Sequence, residues 1–134
     1  MRGKGKSAKF KRSSSFSFIS FSYYVSGGGS FMAKTKASKL ERDFQAGLIK
    51  ELKKLFKGCM VMKLDSGYIQ GIPDLLILYK NKWAILECKK HANAKHQPNQ
   101  DYYVDILNKM SFSRFIYPEN KEVVLNELQQ TFKS

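Results

Sequence analysis

The stretch Gly71–Lys90, GIPDLLILYKNKWAILECKK, holds two apolar runs of strand character separated by a short polar segment. DLLILY reads as one strand, KNK as a tight turn and WAILECK as the next strand, so together they predict an antiparallel hairpin. Side chains alternate along a strand, which puts Trp83, Ile85, Glu87 and Lys89 on one face and Ala84, Leu86 and Cys88 on the other. A hairpin sets the start of one strand beside the end of its partner, so Asp74 is expected next to Glu87. Two carboxylates and an ammonium then converge. Burying such charges is costly unless they are paired or hold a metal. A hard divalent cation removes the repulsion between two neighbouring carboxylates.

Working outward, Leu40, Phe44, Leu48, Leu52 and Leu55 recur at three- and four-residue spacing and predict a helix from Ser38. Ser38 is the expected N-cap, with Glu41 in the capping-box position and Gly58 at the stop. CMVMKLD (Cys59–Asp65) predicts a first strand, and SGYIQGIP the loop after it. Helical spacing returns over 97–110 through Tyr103, Val104, Leu107 and Met110, FSRFIY predicts a short fourth strand, and Pro118 or Asn120 opens a last helix. Val124, Leu125, Leu128 and Phe132 are its expected inner face. The order is α-β-β-β-α-β-α, an α/β chain without internal repeats.

A length of 134 residues predicts one domain with a single core. The net charge of +13 makes nucleic acid the first partner to consider and an anionic membrane surface the second. Met1 to Arg12 hold six Lys or Arg and no acid, yet the remaining chain still carries +7. Residues 1–33 differ from the rest: a basic head precedes SSSFSFISFSYYVSGGGSF, where serine interrupts the apolar run at nearly every second position. No small-residue cleavage pattern follows, so low-complexity disorder is expected rather than a signal peptide. Met32 is an alternative working start, and the folded domain is expected over 34–134. Cys59 and Cys88 read as free thiols of a reducing cytosol, and no run approaches the length of a membrane-spanning helix.

Chemically, an Asp–Glu pair beside a lysine suits magnesium, which takes oxygen ligands and reaches out to phosphate. Lys89 has two candidate tasks: orienting or deprotonating the attacking water, and offsetting charge on the attacked phosphate. The reaction implied is phosphodiester hydrolysis. Pro-Asp is also a common turn dipeptide and Glu-x-Lys a common exposed ion pair, but their union at hairpin spacing in a basic protein favours a site. On a helical wheel Glu41 falls between Leu48 and Leu52, either as a capping-box acid or as a third acidic ligand. Gln100 lies among Tyr103, Val104 and Leu107, where a buried amide demands partners from the core, a site or a phosphate.

GIPD followed by ECK, with a helical glutamate upstream and a helical glutamine downstream, resembles the PD-(D/E)XK nuclease superfamily, and most closely the small stand-alone VRR-NUC type encoded by bacteriophages. The resemblance covers residues 38–134 and implies a restriction-endonuclease-like αβββαβ core with a mixed sheet flanked by helices and a C-terminal helix. It places Asp74 and Glu87 as metal ligands, Lys89 as the catalytic lysine, Glu41 as the first-helix acid and Gln100, with Tyr103 and Leu107, as the glutamine helix. It further implies Mg2+ or Mn2+, the Cys88 backbone carbonyl as another ligand, a DNA endonuclease activity, and a likeness to Holliday-junction resolvases that act on branched DNA as homodimers. A cytoplasmic setting in a bacterial host follows from the same likeness. The chain departs from the family at Gln70, where members often carry arginine.

Two rival readings stand beside this one. Cys59, Cys88, His91 and His96 could be imagined around zinc, although Cys88 is predicted to face away from Glu87 and Lys89. A non-catalytic nucleic-acid-binding module that kept the fold is the other. In either nucleic-acid reading Lys63, Lys80, Lys82, Lys90 and Lys95 are candidate phosphate contacts, His91 and His96 are loop residues that touch phosphate, and Tyr68 stacks on a base or covers the core.

Overall fold

The computed structural model describes residues 31–134, and the expectations for the basic, serine- and aromatic-rich head lie outside them, apart from Phe31–Ala33. Residues 37–134 form one compact unit. The elements are α1 (Phe31–Leu55), β1 (Met60–Lys63), β2 (Leu75–Tyr79), β3 (Lys82–Cys88), α2 (Gln100–Met110), β4 (Ser113–Ile116) and α3 (Lys121–Lys133). The strands build a four-stranded mixed sheet in the order β1-β2-β3-β4. β1, β2 and β3 pair antiparallel, and β4 runs parallel to β3 after the crossover through α2. Among the described residues the fold is therefore α/β, with three helices.

Register assigns every strand residue to a face. Leu75, Ile77, Ala84, Leu86, Cys88 and Ile116 point one way and join a buried cluster with Leu48 and Leu52 of α1 and Val124, Leu125, Leu128 and Phe132 of α3. Phe56, Tyr79 and Phe132 close its end as an aromatic trio with ring centroids 5.0–5.5 Å apart. The opposite face carries Leu76, Leu78, Trp83, Ile85 and Glu87, and α2 packs on its β3 and β4 side. From Ala84 to Cys88 β3 is buried at every position, because both of its faces are covered.

Three expectations are corrected. The helix opens at Phe31, so Ser38 lies inside it and is not an N-cap, and Glu41 is not a capping-box residue. The stripe that meets the sheet runs Phe44, Leu48, Leu52, Phe56 in steps of four. Leu55 falls beside that stripe, 39% exposed, and Leu40 precedes the core and is 57% exposed. Met110 points outward at the last turn of α2, and the inward positions there are Gln100 and the half-buried Tyr103, Val104 and Leu107. Among the described residues no helix is long and apolar enough to cross a membrane.

Candidate functional site

The β2–β3 hairpin does bring Asp74 to Glu87. Leu75 pairs with Leu86, so the next step along the ladder sets Asp74 beside Glu87. The Asp74 backbone N–H donates to Glu87 Oε2 at 3.1 Å, and the Cys88 N–H donates to Asp74 Oδ2 at 3.0 Å. Each carboxylate is thus fixed by the backbone of the strand opposite. Lys89 Nζ lies 3.6 Å from Glu87 Oε1. It donates to Gln100 Oε1 at 2.7 Å and to the Lys95 carbonyl at 3.3 Å. Gln100 Nε2 donates to Glu87 Oε1, and the Gln97 N–H donates to Gln100 Oε1 at 2.8 Å. A single buried amide therefore ties the acid to the lysine, which is the partner set that its burial demanded.

These groups line a cavity of about 280 Å³, with Glu41 and Ser38 of α1 on one wall and Lys90, Ala94, Lys95 and Gln97 on another. Burial, then the neighbouring Asp74 carboxylate, pushes the Glu87 carboxyl up to about 8 against the opposing pull of Lys89. Burial also raises Asp74, partly offset by the Cys88 N–H and by Lys89 and Lys63. Glu41 is raised by burial as well, with Lys89 and Lys90 opposing and Asp74 adding. Like charges sharing one desolvated corner are held there at a cost, and the cost is relieved by a proton or by a cation.

Asp74, Glu87, Lys89, Glu41, Gln100, Lys90 and Lys95 all meet at this cavity. Lys63 is exposed at the end of β1 and acts on Asp74 through its charge. Tyr68 stands off the cavity in the preceding loop, 85% exposed. The Cys88 side chain is buried in the core on the far face, and burial pushes its thiol up. His91 is exposed. His96 stacks on Phe115 with centroids 4.1 Å apart and its Nδ1 lies 2.7 Å from Asp101 Oδ1. Cys59, Cys88, His91 and His96 are accordingly not gathered as zinc ligands. Among the described residues no group of three or more His, Cys, Asp or Glu is arranged to hold a metal ion; Asp74 and Glu87 form a pair, with Glu41 across the cavity.

Sequence reading passed over Ser38, Gln97 and the Lys95 carbonyl as parts of this corner. It also passed over why Gly71 is glycine. Gly71 has φ +92°, and a Cβ there would lie 2.6 Å from Asn99 Cβ and 2.7 Å from the Pro98 carbonyl oxygen. Its lack of a side chain lets the loop before Asp74 press against the entry to α2, where Asn99 itself sits at φ +69°. The GIP motif was the available signal, but only the fold shows what the glycine approaches.

No protein-family model, curated protein or solved structure matches this chain.

Proposed function

We propose that this protein is a divalent-metal-dependent endonuclease that hydrolyses phosphodiester bonds in DNA, on a restriction-endonuclease-like core. One observation carries the reading: Asp74 and Glu87, on adjacent strands, share the wall of a small cavity with Lys89 against Glu87 and Lys90 and Lys95 at its margin. The αβββαβ order and the mixed sheet are compatible with that core. The net charge of +13 favours a polyanionic substrate.

The residues present fit a magnesium or manganese ion. Two carboxylates raised chiefly by burial, with the Asp74 charge adding at Glu87, beside a carboxyl on α1, are the oxygen-rich donor set that such ions take. In this reading Asp74 and Glu87 hold the ion, with Glu41 and the Cys88 carbonyl supporting it. When bound, the ion supplies Lewis-acid polarisation of phosphate and activation of water. Lys89 offsets charge developing on the attacked phosphate, and Gln100 keeps Lys89 and Glu87 at their mutual spacing. Lys90 and Lys95 position the phosphate backbone without reading sequence. A preference for branched DNA, action as a homodimer and a bacterial cytoplasmic setting belong to the same reading and rest on the family resemblance.

The test is incubation of the purified full chain with junction, flap, duplex and single-stranded DNA, with Mg2+ or with chelator, beside Asp74→Ala and Lys89→Ala. Metal-dependent cleavage by the wild type alone is the expected result. If wild type and Asp74→Ala act alike on every substrate, the protein is a binding module and the nuclease reading fails.

A further inference from the structure

Between Ala94 and Gln100 the chain passes the candidate site as a loop. Lys95, His96, Gln97, Pro98 and Asn99 are all exposed, yet two of their backbone groups reach buried side chains. The Lys95 carbonyl accepts from Lys89 Nζ at 3.3 Å, and the Gln97 N–H donates to Gln100 Oε1 at 2.8 Å. His96 is the residue between them. The backbone on one side of it therefore touches Lys89 and on the other side Gln100, two side chains themselves joined at 2.7 Å. An ammonium has three donors and no acceptor. The acceptors around Lys89 are Gln100 Oε1, the Lys95 carbonyl and Glu87 Oε1. The place of its charge is thus set in part by this loop.

The His96 ring fastens the loop where those contacts are made. It lies nearly parallel to Phe115, with centroids 4.1 Å and planes 15° apart, and its Nδ1 is 2.7 Å from Asp101 Oδ1. Phe115 stands beside Glu87 in the parallel β3–β4 ladder, and Asp101 follows Gln100 at the start of α2. The ring is therefore tied to the strand next to Glu87 and to the helix turn that carries Gln100. The other ties of the loop lie to either side: the Ala92 N–H donates to Glu119 Oε1 at 3.1 Å, and Pro98 and Asn99 abut Gly71. A histidine that touches phosphate, as the sequence suggests for His96, would aim its ring into the cavity. Here the ring turns to Phe115 and is not part of the cavity wall.

We propose that His96 is a positioning residue: held between Phe115 and Asp101, it keeps the Lys95 carbonyl on Lys89 and the Gln97 N–H on Gln100. What Lys89 then does rests on the nuclease reading, but its placement can be measured without cleavage. Full-length wild type, His96→Ala and His96→Phe are treated with a succinimidyl acetate ester, free of metal and DNA and below the melting point of each. Acetylation of the buried Lys89 is read by mass spectrometry against that of the exposed Lys109. His96→Ala should raise Lys89 acetylation about fivefold or more, with Lys109 unchanged. In cleavage assays with Mg2+ it should lower kcat about tenfold or more, with KM within about twofold. His96→Phe keeps a ring on Phe115 and should return both readouts to within about threefold of wild type. Unchanged Lys89 acetylation, or an unchanged kcat where the wild type cleaves, would overturn the proposal. A raised KM with kcat kept would also overturn it and make the ring a phosphate contact. So would a loss of kcat that His96→Phe leaves unrescued, which would give the imidazole a chemical part. A wild type that cleaves no substrate sinks the nuclease reading, and Lys89 acetylation then decides the role of His96 by itself.

Discussion

The two faces of the sheet divide the work of the protein between them. On one face Leu75, Ile77, Leu86, Cys88 and Ile116 meet α1 and α3 with no exposed apolar area to speak of. On the other, the same strands carry Asp74 and Glu87 at one end, the exposed Met60, Met62 and Leu78 at the other, and, among the described residues, one covering helix. A single residue step along β2 or β3 moves from packing to chemistry, because side chains alternate. The rigid apolar face holds the backbone that fixes both carboxylates, through the Asp74 and Cys88 N–H groups. Desolvated acids that repel one another would otherwise swing apart.

The sharpest way to break that division is to change one residue of β2 or its entry on each face. Ile77→Ala removes a fully buried side chain from the closed face and should cost about 3 kcal/mol of stability. Its activity per folded molecule should be retained. Asp74→Asn keeps the acceptor for the Cys88 N–H while removing the charge. It should lower cleavage on the order of a hundredfold or more, with no loss of stability. Denaturant melts beside single-turnover assays check both. A stability loss in Asp74→Asn as large as that of Ile77→Ala would show that the two faces are not separable.

A smaller effect is expected in the loop before Asp74. Gly71→Ala meets both a positive φ and the Pro98–Asn99 backbone and should cost about 2 kcal/mol or more. Gly58, also at positive φ (+89°), faces open space, so Gly58→Ala pays the conformational strain alone, about 1 kcal/mol. Activity should fall with the first and not the second, because only Gly71 joins the loop before Asp74 to the helix that starts at Gln100. Equal melting shifts in the two variants would remove that link.

Much of this division was legible in the sequence, and its limits have physical causes. The hairpin follows from period-two alternation and placed Asp74 near Glu87, but its register did not: KNK reads as the whole turn, whereas the chain turns on Lys80 and Asn81 and pairs Tyr79 with Lys82. The inward aim of Gln100 follows from helical spacing, although its bonds to Glu87 and Lys89 do not, since they depend on how α2 crosses β3. The start of α1 was misplaced because Ser38 and Glu41 imitate a cap, whereas AKTKASK is itself good helix-forming sequence that continues through them. The exposure of Met60, Met62 and Leu78 was invisible. Whether an alternating strand face is covered depends on which strands α2 reaches, and no local pattern in β1 or β2 records that.

The polar face should also show itself in a pH response. The Glu87 carboxyl is raised in the folded protein to about 8 from an ordinary 4.5, chiefly by burial and then by Asp74. Between those values the folded state holds a proton that the unfolded chain has released, so stability falls as pH rises through this window and levels off above it. Asp74 and Glu41, raised in the same sense, add to the fall. Melting temperatures without metal should therefore decline steadily from pH 5 to pH 9. Asp74→Asn should flatten that decline only in part, because it removes the second cause and leaves the first. Mg2+ should restore the loss at high pH and do little at low pH, since ion and proton compete for the same pair. A wild-type stability that climbs over this range would mean that Glu87 is ionised at little cost, and the proposed cation site would then lose the burial and repulsion on which it rests.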